Sequence, residues 1–304
     1  MTAPHRFLGT ARHPWRVTVL MAAASLGAAA CSSSSNNGGT GGAGGGGDVD
    51  AAPDVEVDVA PVPCPGKAIA LDSNVAGPAD PNKSRVMVDF GATDLPIGNA
   101  ARTIELWAFV RTSSWRGDAN TIFEYGVVGT NTGFGLDFGG TPGTVDPYTN
   151  GSFDNDNQPS GIPDFATNDQ WIHFAMTYDQ TAVTLYVNGV QQARKVGAGM
   201  LATTLTQLTI GGNPRGAYFN GQIDEFRVWN VARSQADIMA TMNHALKGDE
   251  AGLVGYFKFD DGAGTTAKDS VTTAGHTAHD GVFMANTPAM NPVWIDSTAP
   301  ILCP

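Results

Sequence analysis

Between residues 171 and 230 apolar and polar positions alternate in short runs broken by turn residues: WIHFAMTYD, VTLYVNGV, LTIGGN and GQIDEFRVWN. In VTLYVNGV, Val183, Leu185 and Val187 share one face of a strand and Thr184 and Tyr186 the other. Asn188-Gly189 then supplies the pair that a two-residue hairpin turn takes. Runs of the same kind recur upstream and downstream as AIALDS, RVMVDF, TIELWAFV, TIFEYGVV, GFGLDFGG and LVGYFKF. Period two with turns between predicts an all-β domain, two packed antiparallel sheets in a sandwich. One stretch departs from the period. Ser234 with Asp237 has capping-box spacing, Ile238, Met239, Met242 and Leu246 fall on one stripe, and Gly248 follows, which predicts a helix over 234–247.

The first 63 residues have neither period. Arg6, Arg12 and Arg16 precede an uncharged run at 17–30 that ends at Cys31. A basic start, a short apolar stretch and small residues before a cysteine form an export signal over 1–30, and the run is shorter than the roughly 20 residues a membrane span needs. Residues 31–63 then read as a Gly/Ser coil followed by an acidic, proline-punctuated segment, a tether that cannot bury enough to fold. The globular part is residues 64–304.

Charge narrows the partners. The chain has 17 Lys plus Arg against 29 Asp plus Glu, a net −12. Removing the leader removes three arginines and leaves 14 minus 29, about −15, a surface that repels nucleic acid and anionic membranes. Membrane contact is expected only through an N-terminal anchor.

The segment at 26–31, LGAAAC, resembles a bacterial lipoprotein signal, in which Cys31 becomes the lipidated first residue; Ala28 stands where that signal usually has Leu, so ordinary cleavage after A-x-A stays open. Ser32 after the cysteine is similar to the outer-membrane sorting choice. The ordered set WIHFAMTYD, LYVNG, LTIGGN, FNGQIDEFRVWNVARS and GLVGYFKFDDGAGTTAKDS resembles a laminin G-like jelly roll of the concanavalin A-like lectin and glucanase superfamily, over residues 68–283. The resemblance implies recognition on the concave sheet or at rim loops, and it names no single ligand. It also implies that first and last strands lie close together. With Cys31 lipidated, Cys64 and Cys303 bracket the domain and are expected to form a disulfide.

Catalysis by carboxylates is the first chemistry to weigh, because glucanases share this sandwich. Those enzymes carry E-x-D-x-E or E-x-D-x-x-E on one strand, placing nucleophile and acid/base at glycosidase separation. Glu105, Glu124 and Glu225 stand outside any such pattern and are read as exposed strand carboxylates or cross-strand partners for Arg102 and Arg227. No G-x-S-x-G elbow accompanies His173, His244, His276 and His279, and His173 is read as a packing residue. Paired cysteines at zinc spacing are absent.

Calcium is the expected inorganic cofactor. The superfamily often holds a structural calcium with acids of its first and terminal strands, which implies Asp72 and Asp224 here. Ligand recognition is assigned to the segment 141–170, rich in Asn, Asp, Gly and Pro, with Trp115, Tyr148 and Phe153 as stacking rings and Asp154 and Asp156 as hydrogen-bonding groups. Trp107, Trp171 and Trp229 are read as core. The expected function is non-catalytic binding of a glycan or glycosylated partner; a glycosidase of the same fold and a purely structural envelope domain are the rivals.

Overall fold

The computed structural model describes residues 63–71, 84–91, 94–111, 120–138, 143–155, 158–159, 169–204, 207–213 and 216–303. All of them belong to one compact unit, Asp58–Pro304. In chain order the strands are β1 (Lys67–Leu71), β2 (Arg85–Val88), β3 (Arg102–Val110), β4 (Asn120–Gly126), β5 (Gly133–Phe138), β6 (Thr144–Tyr148), β7 (Gln158–Pro159) and β8 (Gln170–Tyr178). They continue as β9 (Ala182–Val187), β10 (Val190–Val196), β11 (Leu208–Ile210), β12 (Gly221–Trp229), β13 (Leu253–Phe257), β14 (Thr266–Ala267), β15 (Gly281–Met284) and β16 (Val293–Asp296). A helix, α1 (Gln235–Thr241), follows β12.

Two antiparallel sheets form the sandwich. The first runs β10-β9-β8-β3-β12-β1-β16, with β13 paired to β12 beyond the end of β1; the second runs β14-β15-β2-β11-β4-β5-β6-β7. The alternation read in the sequence sets which residues lie between them. In β8, Ile172, Phe174, Met176 and Tyr178 face the second sheet, and in β3 so do Ile104, Leu106, Ala108 and Val110. Val86, Val88, Phe123, Phe134, Leu136, Leu208 and Ile210 meet them from the other side. The hairpin of β9 and β10 turns at Asn188 (φ 48°) and Gly189 (φ 74°), the left-handed pair that the twist of the strands favours.

The disulfide forms as expected: Cys64 and Cys303 are joined, with Cα atoms 4.8 Å apart. Beside it the chain ends pair with each other, the Cys64 amide donating to the Ile301 carbonyl at 2.8 Å.

The helix is shorter than its apolar stripe predicts. Its capping box is present, Ser234 and Asp237 each accepting from the other's backbone, but it ends at Met242. There the side chains of β3 and β12 take its last carbonyls: Trp107 Nε1 donates to Met242 O at 2.6 Å and Arg227 Nη1 to Thr241 O at 3.1 Å. Tertiary donors thus cap the helix where the sequence pattern would continue it. Within the helix Met239 is exposed and only Ile238 is buried. The segment 141–170 also differs from a plain loop, since β6 and β7 occupy part of it and β6 pairs with β5.

Candidate functional site

Each sheet also has an outward face, and the two are built differently. On the first sheet, the positions alternating with the core carry Glu105, Trp107, His173, Arg227 and Trp229, which α1 and the C-terminal segment cover. Glu105 is fully buried, so the reading of an exposed strand carboxylate is corrected. It sits opposite Arg227 in register, as a cross-strand partner should, and accepts from Arg233 Nη1 at 2.7 Å and Trp229 Nε1 at 3.0 Å. Arg227 Nη2 donates to Glu225 at 2.6 Å, and Tyr256 donates to the same Glu225 oxygen at 2.6 Å. Burial opposes the Arg227 charge, yet Glu225 and Glu105 together raise its pKa and hold it ionised.

His173 lies in this layer as a neutral ring. Burial pushes its pKa down to about 4, Glu105 opposing and Arg227 and Arg233 assisting. Its ring packs edge-on against Trp107 at 5.4 Å. Arg102 departs from expectation in a different way. Its partners are not carboxylates: Tyr125 Oη and the carbonyls of Gly98 and Ala100 accept from its guanidinium at 2.8, 2.6 and 2.9 Å, and no carboxylate of the described residues pairs with it. The tryptophans are buried or half-buried, as core residues should be, but under the helix and the C-terminal segment rather than between the sheets.

The outward face of the second sheet is polar as well. A transverse row runs Val282, Met87, Thr209, Glu124, Gly135 and Tyr148 across β15, β2, β11, β4, β5 and β6. A second row sets Thr121, Asp137 and Asp146 side by side. A Cβ at Gly135 would strike the Tyr148 ring, so the glycine lets that ring cross β5, and Tyr148 Oη donates to Glu124 Oε2 at 2.5 Å. Beyond β11 the IGGN motif does similar work. Gly211 takes φ 80°, Gly212 leaves room for the Tyr218 ring, and Asn213 Nδ2 donates to Thr121 Oγ1 at 2.7 Å. Arg85 lies over the Tyr218 ring at 5.8 Å. Carboxylates, amides, hydroxyls and two tyrosine rings thus share one sheet face, half-buried or buried.

The Laminin_G_3 model of the concanavalin A-like lectin/glucanases superfamily matches residues 84–239, the stretch from β2 through most of α1. The chain belongs to the concanavalin A-like lectin/glucanase superfamily. A solved structure from Bacteroides ovatus, named for carbohydrate binding, superposes with a TM-score of 0.55 at 23% identity, covering 78% of this chain and 61% of that one. Pappalysin-1 of mouse and human matches at 40% and 38% identity over 78 residues, 24% of this chain. The chain spans only 5% of those relatives.

Within this superfamily fold the residues expected to bind ligand scatter. Tyr148 ends β6 on the polar face, buried against Glu124 rather than exposed on a loop. Phe153 is a core ring, edge-on to Tyr178 at 5.5 Å, and offers no stacking platform. Asp154 accepts from the Thr149 amide at 2.5 Å and shapes its own turn. Trp115, Asp156 and Asp72 lie outside the described residues. Sequence reading missed Arg85, Thr121, Asn213 and Tyr218. Strand parity marks Arg85 as facing outward, but Thr121 joins Glu124 on that face only because the β4 register shifts between Thr121 and Phe123, which the alternation does not reveal.

Of the two acids expected to hold calcium only Asp224 is described, and among the described residues no group of three or more His, Cys, Asp and Glu is placed to hold a metal. Asp224 already accepts from Ser297 Oγ at 2.5 Å and from the Glu225 amide at 2.8 Å. Burial raises its pKa well above the carboxylate range, with Glu225 and Asp260 adding to the rise. A raised folded pKa means that its stabilising contribution is present at low pH and lost as pH rises through that value. Asp224→Asn, which mimics the protonated acid, is therefore expected to raise the melting temperature at neutral pH by roughly 2–4 °C, about 1 kcal/mol in a domain of this size. The gain should shrink on acidification. Calcium at Asp224 with Asp72, which lies outside the described residues, would show instead as a melting temperature that rises with millimolar calcium and loses that response in Asp224→Asn.

Proposed function

We propose that this chain is a non-catalytic glycan-binding module, with the polar outward face of the second sheet as its binding surface. The observation that carries the reading is the buried Glu124–Tyr148 pair. A buried carboxylate is costly unless it is hydrogen-bonded, and Glu124 is buried on this face, where β5 gives up a side chain at Gly135 so that Tyr148 can reach it. Amides and carboxylates held in fixed positions beside tyrosine rings are what sugar hydroxyls and sugar ring faces require. The likeness in fold to the Bacteroides ovatus protein named for carbohydrate binding supports this reading. Against catalysis by the other two glutamates, Glu105 and Glu225 are both fixed in the buried network under α1.

A glycan array probed with the purified chain tests it. Binding is expected in roughly the micromolar to millimolar range, about −8 to −4 kcal/mol. Tyr148→Phe and Asn213→Ala should each weaken it by about tenfold, one hydrogen bond's worth of 1.4 kcal/mol. An array without hits, or variants that bind like the wild type, would remove the site. Release of reducing sugar by the wild type, lost in Glu124→Gln, would replace binding by hydrolysis.

Export and anchoring belong to the same proposal. The basic leader, the small residues before Cys31 and the low-complexity stretch after it support a lipidated cysteine at the surface of a bacterium. Mass spectrometry of the membrane fraction should then find an acylated N-terminal peptide beginning CSSSS; a mature soluble form with an unmodified Cys31 would overturn it.

A further inference from the structure

We propose that the turns carrying Ile97, Val127, Val128 and Met200 form a lipid-contacting tip that docks the sandwich on an uncharged bilayer surface. These turns meet at one end of the domain. The turn between β4 and β5 is closed by Thr132, whose amide donates to the Gly129 carbonyl and whose hydroxyl lies 2.8 Å from the carbonyls of Val127 and Gly129. The Ala202 amide donates to Asn131 O at 2.8 Å, the Ser152 amide to Asn131 Oδ1 at 2.8 Å, and Ser152 Oγ to Ala198 O at 2.9 Å. The Gly98 amide donates to Thr203 O at 2.7 Å, which ties in the turn before β3. Four segments far apart in sequence are thus fastened into one preformed surface.

Among the described residues the segments that form this surface have no ionisable side chain, and the cation that touches them, Arg102, is buried beneath the Gly98 and Ala100 carbonyls. Residues 95–101, 126–133, 149–153 and 196–204 contain no Asp, Glu, Lys, Arg or His, in a chain where 17 plus 29, or 46, of 304 residues are Lys, Arg, Asp or Glu. On it Ile97, Val127, Val128 and Met200 are 37%, 46%, 67% and 63% exposed. Charges begin at its rim, with Arg194 paired to Asp179 at 3.3 Å, Lys195 exposed, and Asp154 occupied by Thr149.

Three features choose the partner. A charged partner gains no ion pair from such ground, so the partner is neutral. A sugar needs a ring face, and the aromatic residue of these loops, Phe153, is buried. The aliphatic groups stand singly on turns and line none of the described cavities; a rigid protein surface would need a matching pit for each, whereas acyl chains at the bilayer boundary close around separate side chains. Because Thr132 already satisfies the turn carbonyls, the tip can enter a water-poor boundary with few unmet backbone groups. Preformed turns also lose little conformational freedom on docking.

The contact is independent of the glycan site and of any acyl chain, so the test uses the mature chain from residue 31 with Cys31→Ala. Flotation with phosphatidylcholine vesicles should carry the protein upward, to the same extent at low salt and at about 1 M salt, where surface electrostatics are screened. Vesicles with added anionic lipid should bind less, given the mature chain's 14 minus 29, about −15. Val128→Asp with Met200→Glu should cut partitioning by at least about tenfold, since burying an aliphatic side chain is lost at both positions, with the melting temperature unchanged. Protein that stays below the vesicles, a variant that floats equally well, or binding abolished by salt would each overturn the proposal. So would a dimer that the same variant dissociates, which would assign the tip to a second copy of this chain.

Discussion

Arg227→Ala is expected to lower the stability of the domain by about 3–5 kcal/mol, the range for breaking a buried ion pair from one side. The guanidinium is fully buried and donates to Glu225, to the Thr241 carbonyl and to the His244 carbonyl at 2.6, 3.1 and 2.6 Å. Alanine removes all three donors at once. Glu225 keeps its bond from Tyr256, but its charge then lies in a low-dielectric layer without the cation beside it, and two carbonyls at the end of α1 lose their cap. Glu105 suffers less, because Arg233 and Trp229 still donate to it. Chemical denaturation should show a lower midpoint with the slope little changed. Methionine at 227 combined with Gln at 225 should recover part of the loss, because it removes the stranded charge while refilling the volume. A loss below about 1 kcal/mol in Arg227→Ala would mean that water reaches this layer and that the face is not sealed as described.

Removing the disulfide by replacing Cys64 and Cys303 with serine is the second large effect. Closing a loop of 239 residue steps contributes up to about 5 kcal/mol in the chain-entropy model, and removal of a native disulfide commonly costs 2–5 kcal/mol. The bond does more than restrict the unfolded chain. It holds the C-terminal segment on the outward face of the first sheet, where Leu302 donates to Asn243 O at 2.7 Å and accepts from the Ala245 amide at 3.1 Å. Those residues continue the segment whose His244 carbonyl receives Arg227. The two losses should therefore be non-additive: with the disulfide gone, Arg227→Ala should cost less than it does in the intact protein, because the cover it anchors is already loosened. Strict additivity in a double-mutant cycle would show that the covering segment stays in place without the bond. A melting temperature unaffected by serine at both positions would show that the bridge contributes nothing in solution.

The residues around Glu105, Glu124 and Cys64 divide what local pattern determines from what only three dimensions decide. Local sequence determined the all-β sandwich, the Asn188-Gly189 turn and the Ser234 capping box, because each depends on near neighbours: side chains alternate by two, the turn needs two positive φ angles, and the cap spans three residues. The disulfide was within reach as well, once two cysteines bracketed a fold whose ends meet. Parity could say that Glu105 and Glu124 point away from the core. It could not say what covers them. Whether an outward strand face meets solvent, a helix or a partner depends on segments more than a hundred residues away, as when Trp229 and Arg233 close over Glu105. The same limit misplaced the helix end, because the donors that cap it come from Trp107 and Arg227 of other strands. Tyr148 looked like a loop aromatic because a proline and asparagines surround it, whereas pairing of β6 with β5 over Gly135 turned it into the partner of Glu124. Strand order, set by burial of the whole core at once, is what made two isolated polar residues into one hydrogen-bonded pair.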